Sequence, residues 1–254
     1  MKITPINAFQ DNYIWCIEQQ SNCVIVDPGD AKPVLEYLSQ KKLQLTDILI
    51  THHHPDHIGG VAELKQHFTD AKVYGPDDLR IPLIDHKVSE NDKVLIDSLG
   101  IEFQVLGLPG HTEDHIAYFG ETGLFSGDTL FSAGCGRLLG GTAAQLYSSL
   151  QKLAALPGDT LVYCTHEYTL ANIAFALEVD GDNHILASYA DWAHSRRRKQ
   201  QPTLPTTIRQ ERDINPFLRC HTPDVKQAVE QHCQRKLSSR KDIFAELRRW
   251  KDQF

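Results

Sequence analysis

The sequence predicts a mixed α/β domain followed by a smaller domain of helices. Up to residue 167, short apolar runs alternate with turn signals and with helical patterns, an arrangement that is typical of sheets covered by helices. Beyond residue 168, apolar residues recur at helical spacing and no segment has the pattern of a strand. We therefore expect an α/β domain over residues 1–167 and an all-helical domain over residues 168–254.

Two apolar runs near the N-terminus predict paired strands, and the turn sequence Asp27-Pro28-Gly29 ends the second. In total, strands are predicted over residues 13–17, 23–26, 47–50, 101–106, 116–119, 124–126 and 161–164. Apolar residues at helical spacing predict helices around residues 34–38, 61–68, 146–153, 170–177, 225–232 and 243–250. The Pro-rich stretch 201–205 predicts a loop within the helical part.

Composition excludes several classes of protein. The chain of 254 residues is 41% hydrophobic, and it has no apolar run of about 18 residues, so no membrane span is expected. A formal net charge of −7 gives no support to nucleic-acid binding. Six cysteines without a CxxC motif favour free thiols over a disulfide framework. The N-terminal residues lack the apolar core of a signal peptide, so we expect a cytoplasmic protein, and we take it to be a monomer.

One segment, residues 51–57, carries a dense set of metal-binding side chains. It has the pattern HxHxDH and directly follows an apolar run, where a strand ends. Imidazole and carboxylate groups are the ligands that Zn²⁺ and similar metals bind. His52 and His54 can face one metal, and Asp56 and His57 can face a second. One metal rarely needs so many donors from a single turn, so the spacing predicts two metals that share a site.

Three further candidates each follow an apolar strand, where a rigid scaffold can aim a side chain. His111 lies in Gly-His-Thr, Asp128 in Gly-Asp-Thr and His166 in Thr-His-Glu. The order of HxHxDH, Gly-His, Gly-Asp-Thr and a late histidine resembles the metallo-β-lactamase superfamily of hydrolases. The resemblance implies an αββα sandwich with the metals at one edge between two sheets.

The same resemblance implies which side chains bind each metal. The first metal would take His52, His54 and His111. The second metal would take Asp56, His57 and His166. Asp128 would bridge both metals. We expect two divalent ions, with zinc the first choice and iron or manganese as alternatives, because imidazole and carboxylate ligands suit all three.

Further motifs resemble glyoxalase II, the hydroxyacylglutathione hydrolase family, over nearly the whole chain. They occupy residues 131–137, 141–142, 164–169, 215–219 and 247–254. The resemblance implies that four side chains bind the glutathione part of a substrate: a basic residue after the bridging aspartate, the tyrosine after the last histidine, and two basic residues in the last helix. By position, these are Arg137, Tyr168, Arg248 and Lys251.

The implied reaction is hydrolysis of the thioester of S-D-lactoylglutathione, or of another 2-hydroxyacylglutathione, by a hydroxide that bridges the metals. Two metals lower the pKa of a shared water from about 15.7 toward about 7 and polarise the thioester carbonyl. The carboxylates Asp56 and Asp128 are therefore expected to have catalytic roles. Glutathione is negatively charged, so an acidic protein needs a local basic cluster to bind it, and Arg137, Arg248 and Lys251 would provide one.

Other interpretations stay open at this point. The superfamily includes iron-dependent glutathione persulfide dioxygenases, which use one iron and lack a long helical C-terminus. A non-catalytic metal-binding module would need a broken ligand set, and this set is complete. The chain departs from the glyoxalase II pattern at residue 114, which is Asp, and at residues 138–140, which are Leu-Leu-Gly. These departures bear on substrate affinity more than on metal binding.

Four residues have a structural interpretation beside a functional one. Alternation turns His53 away from the metals, so we expect it to pack or to support the site. His115 fits the surface and a supporting role equally well. Asp27 is expected to be a turn residue, with support of the site as the alternative. Cys135 is not expected to be a nucleophile, because no base accompanies it.

Overall fold

Residues 1–254 divide into two units in a computed structural model of the chain. Unit 1 comprises Met1–Gly107 and Asp114–Gly127, and unit 2 comprises Leu108–Glu113 and Asp128–Phe254. Among the candidate ligands, the HxHxDH segment belongs to unit 1, and the other three belong to unit 2. The division at residue 167 concerns domains of the sequence and stays a prediction.

Unit 1 contains ten strands and three helices. The strands are β1 (Lys2–Ala8), β2 (Asn12–Gln19), β3 (Asn22–Val26), β4 (Gln44–Leu49), β5 (Lys72–Gly75), β6 (His86–Lys87), β7 (Lys93–Ile96), β8 (Ile101–Gly107), β9 (Ile116–Gly120) and β10 (Gly123–Gly127). The helices are α1 (Ala31–Lys41), α2 (Pro55–Ile58) and α3 (Val61–His67).

Strands β1 to β6 form a sheet in that order. The first three strands are antiparallel, whereas β3 to β6 run parallel. Parallel neighbours need a crossover connection, which α1 supplies between β3 and β4. Val34 and Leu38 of α1 are buried in one core cluster with Ile48 of β4. The carboxyl ends of β3 and β4 therefore lie side by side, and Asp27 and the HxHxDH segment follow them there.

Strands β7, β8, β9 and β10 pair antiparallel in that order. Tyr118 of β9 is buried, and its hydroxyl lies 3.0 Å from the carbonyl oxygen of Ile50 and 3.2 Å from that of Tyr74. These carbonyls lie beside the ends of β4 and β5. The Ile116 N–H also donates to the carbonyl of Thr51 at 2.9 Å. Contacts of β9 thus support the segment from which the candidate ligands project.

Unit 2 contains four short strands and six helices. The strands are β11 (Leu130–Phe131), β12 (Gly134–Cys135), β13 (Leu161–Cys164) and β14 (Thr206–Thr207). The helices are α4 (Ala143–Ala154), α5 (Thr169–Val179), α6 (His184–Arg198), α7 (Ile208–Ile214), α8 (Pro223–Cys233) and α9 (Arg240–Gln253).

Aromatic residues link the helices of unit 2. The Phe217 ring lies 6.1 Å from the ring of Phe175 in α5 and 5.7 Å from that of Phe244 in α9. All three side chains are essentially inaccessible to solvent, and each large aromatic ring buried in this way contributes strongly to the core. Helices α4 and α9 begin with capping boxes, which satisfy the backbone donors of their first turns.

The predicted elements are confirmed, with bounds that differ by a few residues, and residues 201–205 form a loop as predicted. The expectation of no strand beyond residue 168 is wrong, because Thr206 and Thr207 pair with β13. A strand of two residues is too short to show alternation, so the sequence pattern cannot reveal it. None of the helices combines the length and apolar character needed to span a membrane.

Candidate metal centre

The HxHxDH segment leaves the sheet at the end of β4 and turns into α2. Pro55 occupies the start of the helix, where its missing N–H is no loss. His54 precedes it in an extended conformation, and Asp56 and His57 lie within the helix. The change from strand to helix brings alternate side chains together, and Nε2 of His52 lies 3.0 Å from Nδ1 of His54.

Asp27, at the end of β3, organises this segment. Its backbone is left-handed, with φ 52°, and its carboxylate is buried. The Thr51 N–H donates to Oδ1 at 2.8 Å, and the Thr51 hydroxyl donates to Oδ2 at 2.7 Å. The hydroxyl oxygen then accepts from Nδ1 of His52 at 3.0 Å. Because the proton is on Nδ1, Nε2 of His52 keeps its lone pair for a metal.

The same carboxylate orients His57. Nδ1 of His57 lies 3.1 Å from Oδ2 of Asp27, and Nε2 lies 3.6 Å from Oδ2 of Asp56. Asn12 donates to that oxygen of Asp56 at 3.0 Å. A carboxylate behind one imidazole nitrogen fixes the ring and makes the other nitrogen more basic. Unit 1 thus brings its four candidate ligands into one turn and supports them with Asp27, Thr51 and Asn12.

Unit 2 brings together the other three candidates. Nε2 of His111 lies 3.4 Å from Oδ2 of Asp128, and Nε2 of His166 lies 3.5 Å from Oδ1. Nδ1 of His111 is 2.8 Å from the carbonyl oxygen of Arg137. A carbonyl only accepts, so Nδ1 carries the proton and Nε2 has a lone pair. The two oxygens of Asp128 therefore face two different histidines, an arrangement that suits a carboxylate shared between two metals.

The separations between these groups suit metal ligands better than hydrogen bonds. A hydrogen bond between nitrogen and oxygen spans about 2.7–3.2 Å, whereas the His–Asp separations between candidate ligands are 3.4, 3.5 and 3.6 Å. Two ligand atoms on one tetrahedral metal, each at about 2.0–2.1 Å, are about 3.3 Å apart. The His and Asp groups of the chain are compatible with a metal site.

Two glycines allow close packing against the backbone of the two candidate ligand aspartates. A Cβ atom on Gly29 would lie 1.8 Å from the carbonyl oxygen of Asp56, and one on Gly136 would lie 2.0 Å from that of Asp128. Any side chain at these positions would displace the backbone of a ligand. The backbone of each aspartate is therefore in close contact with a glycine, whereas its carboxylate is held by hydrogen bonds.

Arg137, Arg248 and Lys251 form a basic cluster in unit 2. Burial, and then the charges of Arg248 and Arg137, lower the pKa of Lys251. Its Nζ lies 5.1 Å from the ring centre of Phe175 and 5.2 Å from that of Phe254, and contacts of this kind hold an ammonium group in place. Cations that repel one another in this way favour a bound anion.

The members of the cluster differ in exposure. Arg248 is only 3% exposed, and its guanidinium donates to the carbonyl of Cys135 at 3.1 Å and pairs with Asp252 at 2.9 Å. Arg137 is exposed. The structure therefore places Arg248 behind the loop that carries Arg137, and direct contact of Arg248 with a substrate stays a prediction.

Tyr168 lies beside a candidate ligand. Its ring stacks on His166, with centres 4.6 Å apart and planes 5° apart, and the edge of Phe131 packs against it at 5.3 Å. The residue remains 37% exposed. Its hydroxyl-bearing ring is thus both fixed by its neighbours and accessible to a small molecule.

The structure assigns places to the remaining residues of interest. His53 bonds Asp114, with its Nδ1 2.8 Å from Oδ1, and its ring centre lies 4.8 Å from that of His54. His115 is buried and stacks on His52 at 4.8 Å. Burial raises the pKa of Cys135 to about 11, so its thiol stays protonated at neutral pH.

Sequence reasoning gave too little weight to the residues that support the ligands. Asp27 is a turn residue, as expected, and also contacts His57 and Thr51. Thr165 donates its hydroxyl to Oδ1 of Asp128. Thr51 and Thr165 are each adjacent in sequence to a candidate histidine. That adjacency could have indicated their supporting role, because a hydroxyl next to a metal ligand can bond the side chains around the metal.

Comparisons with known proteins agree with this geometry. The family model described as metallo-beta-lactamase superfamily matches residues 9–166, and the one described as hydroxyacylglutathione hydrolase C-terminus matches residues 167–254. A hydroxyacylglutathione hydrolase of Xanthomonas campestris pv. campestris is 52% identical over 255 residues, which cover 100% of this chain and 99% of that protein.

Two solved structures share the fold. The crystal structure of ETHE1 from Myxococcus xanthus is 26% identical, has a TM-score of 0.66, and the match covers 99% of this chain and 98% of that chain. The crystal structure of TTHA1623 in a di-iron-bound form is 27% identical, has a TM-score of 0.62, and the match covers 86% of this chain and 100% of that chain. The predicted fold, a metallo-β-lactamase domain followed by a helical part, is confirmed. Because the two family models together match residues 9–254 and a hydroxyacylglutathione hydrolase matches the full length at 52% identity, the chain belongs to the hydroxyacylglutathione hydrolase family of the metallo-β-lactamase superfamily.

Proposed function

We propose that the chain hydrolyses the thioester bond of S-D-lactoylglutathione and of other 2-hydroxyacylglutathiones, releasing glutathione and a 2-hydroxy acid. The observation that carries the proposal is the placement of Asp128, whose two oxygens face two different histidines. Such a carboxylate suits a pair of metals, and a pair of metals suits hydrolysis. The 52% identity with a hydroxyacylglutathione hydrolase over the full length supports this substrate class.

The proposed ligand sets follow the sequence motifs. The first metal takes His52, His54 and His111. The second takes Asp56, His57 and His166. Asp128 bridges the two. The tautomers described above support these sets, because the Nε2 atoms of His52 and His111 carry no proton. We propose zinc as the metal, and the di-iron form of a structural relative makes iron the first alternative, ahead of manganese.

In this proposal, the protein's side chains hold the metal ions and orient the ligands around them. When bound, two divalent ions supply an activated water and a Lewis acid for the thioester carbonyl. Asp56 and Asp128 provide the negative charge that retains the ions, and Asn12 fixes Asp56 through a hydrogen bond at 3.0 Å. A thiolate leaves more readily than an alkoxide, so the leaving group needs little acid assistance.

The basic cluster is the proposed site for glutathione. Arg248 and Lys251 lie in the proposed substrate-binding domain over residues 168–254, and Arg137 lies in the loop after Asp128. Arg137 and Lys251 bind its carboxylates, and Tyr168 contacts it beside His166. We keep Arg248 in the proposed set, and its contacts with the loop carbonyl and Asp252 support a role in holding Arg137 as well. The depressed pKa of Lys251 supports anion binding, because a carboxylate would relieve the repulsion within the cluster.

Thioester hydrolysis before and after chelation tests the proposal. We expect the purified protein to hydrolyse S-D-lactoylglutathione, to lose that activity after chelation, and to regain it with Zn²⁺, Fe²⁺ or Mn²⁺. Asp128→Ala should lose both metal, measured by elemental analysis, and nearly all turnover. Oxygen uptake with glutathione persulfide, without thioester hydrolysis, would support a persulfide dioxygenase instead.

We also propose that the chain acts as a monomer in the cytoplasm and binds neither nucleic acid nor membranes. All six cysteines are free thiols, which suits a reducing compartment, and the net charge of −7 disfavours anionic polymers and surfaces. Sedimentation analysis and cell fractionation test these points. A stable dimer or a membrane-bound fraction would contradict them.

A further inference from the structure

The hairpin of β11 and β12 connects Asp128 to Arg137. Its two-residue turn places Ala133 in the left-handed region, with φ 55°. Residues other than glycine rarely adopt this conformation. It persists where the surrounding structure holds it in place, so contacts around the turn must determine the shape of the hairpin.

Three buried side chains make these contacts: Glu211, Asn215 and Asn172, which we call the hairpin clamp. Oε2 of Glu211 accepts one hydrogen bond from the Ala133 N–H at 2.8 Å and another from Nδ2 of Asn215 at 2.9 Å. Nδ2 of Asn215 also donates to the carbonyl of Gly134 at 2.9 Å. The clamp thus bonds the N–H of the left-handed residue and the carbonyl of the residue that follows it.

Further hydrogen bonds connect the clamp to the turn and to Thr206. Nδ2 of Asn172 donates to the carbonyl of Ser132 at 3.0 Å, and Oε1 of Glu211 accepts the Thr206 hydroxyl at 2.8 Å. Glu211 and Asn215 are each 0% exposed. Burying a carboxylate is unfavourable unless directed hydrogen bonds compensate for the lost water. The bonds here converge on one turn, so simple packing does not account for a glutamate at this position.

We propose that Glu211 is a positioning residue that fixes the hairpin and, through it, the place of Arg137 relative to Asp128. This inference rests on the proposed function, in which Asp128 binds the metals and Arg137 binds a carboxylate of glutathione. Glu211 bonds the turn, Asn215 and Thr206, and its effect on Arg137 would therefore be indirect. Its loss should therefore weaken substrate binding more than it reduces metal content.

Two substitutions of Glu211 separate positioning from stability. Glu211→Ala removes every bond that the carboxylate accepts. Glu211→Gln keeps an acceptor for Ala133, and its amide can donate to the Thr206 hydroxyl oxygen. For Glu211→Ala we expect KM for S-D-lactoylglutathione to rise about tenfold, as for a weakened charge-assisted contact, with two metals per chain retained. Glu211→Gln should restore KM to within about twofold of wild type.

Arg209→Ala, an exposed change on the same helix, is the matched control and should leave KM unchanged. A Glu211→Ala variant with wild-type KM and a reduced active fraction would overturn the inference. If that variant does not fold, Asn172→Ala probes the same turn from α5 and should also raise KM.

Amide hydrogen exchange provides a readout that needs no activity. The Ala133 N–H should be protected in wild type and in Glu211→Gln, and it should exchange faster in Glu211→Ala, or in Asn172→Ala if the former does not fold. Unchanged protection would refute the clamp. A wild-type protein without thioesterase activity would refute the proposed function instead, while the exchange result would still decide whether Glu211 holds the turn.

Discussion

Asp27 shows how one side chain can prepare a metal site. Its carboxylate contacts His57 directly at 3.1 Å and reaches His52 through the Thr51 hydroxyl. It thereby orients one proposed ligand of each metal. Groups that orient ligands in this way commonly change metal affinity by about 10- to 100-fold. The left-handed backbone of Asp27 is consistent with this role, since strained conformations cluster at functional sites.

Asp27→Asn should therefore weaken metal binding by about 10- to 100-fold. The amide nitrogen of asparagine is a donor, and it would face a donor on Thr51 or His57. Competition with a chromogenic chelator measures the affinity. Asp30→Asn is the matched control, because Asp30 caps α1 by accepting from Lys32 at 3.0 Å and asparagine caps a helix equally well. Equal affinity in Asp27→Asn and wild type would contradict the assignment.

Glu211 should make stability depend on pH. Burial raises its pKa from 4.5 to about 7. Between pH 4.5 and about pH 7, Glu211 keeps its proton in the folded protein, whereas the unfolded chain has lost it. The free energy of unfolding therefore falls as the pH rises through this range. Above about pH 7 the full cost of ionising the buried carboxyl is reached. The shift corresponds to roughly 3 kcal/mol. Urea denaturation of wild type and Glu211→Gln should show their stability difference changing by that amount between about pH 4.5 and pH 8. A difference that stays constant with pH would contradict a raised pKa of Glu211 in the folded protein.

At the scale of elements, helix α9 combines support and binding. Arg248 and Lys251 lie one turn apart on it. Arg248 bonds the loop before Arg137, whereas Lys251 lies near two aromatic rings and is partly accessible. The capping box at Ser239 and Asp242 fixes the start of the helix. The helix thus presents one cation to the loop and one to the proposed glutathione site.

Lys251→Ala should raise KM for the glutathione thioester about tenfold, with little change in kcat and none in metal content. Lys241→Ala, an exposed change in the first turn of α9, is the control. In wild type, saturating glutathione should also raise the pKa of Lys251, which NMR of labelled lysine can follow. Metal loss in Lys251→Ala equal to that in Asp128→Ala would contradict the separation of metal and substrate roles.

The elements found from sequence are those with a clear apolar pattern. Strand β1 escaped prediction because it contains Pro5, which argues against a central strand; β1 lies at the edge of its sheet, where proline is tolerated. Helix α6 escaped because its buried residues are Leu186, Ala190 and Ala193, and two alanines make a weak apolar stripe. In these two examples the deciding property, an edge position for β1 and the burial of small alanines for α6, comes from the fold and is not visible in the sequence.

The proposed metal ligands and the hairpin clamp differ in how far sequence can find them. The ligands lie in short motifs with distinctive residue types, so spacing alone pointed to them. Glu211 and Asn215 bond the backbone of residues about eighty positions away. Every residue type except proline has the same backbone N–H and C=O groups, so these bonds do not constrain which residues occupy the turn. No sequence motif therefore marks Glu211 and Asn215.

At the scale of the whole molecule, the charge distribution should repel the proposed substrate at long range and attract it at short range. The net charge of −7 repels an anionic thioester at long range. The basic cluster is expected to attract it at short range, where burial and then the charges of Arg248 and Arg137 lower the pKa of Lys251. Coulomb energy varies inversely with distance, so the cluster dominates once the substrate is near.

KM should consequently rise with salt. Screening over about 10 Å at 0.1 M and about 3 Å at 1 M weakens the contact between the cluster and the carboxylates of glutathione. We expect KM for S-D-lactoylglutathione to increase severalfold over this range, and kcat to change little. Steady-state kinetics in NaCl and in KCl distinguish screening from an effect of a specific ion. A fall in KM would mean that the overall negative charge dominates.

The left-handed turn at Ala133 has a consequence for protein engineering. Designers often transplant a substrate loop from one hydrolase into another to change specificity. Here the loop gets its shape from partners on two distant helices, α5 and α7, and from the residue that follows α7. A chimera that receives residues 128–137 without these partners should accept the insertion yet fail to acquire the donor's preference. Successful recombination between relatives would have to exchange both segments together.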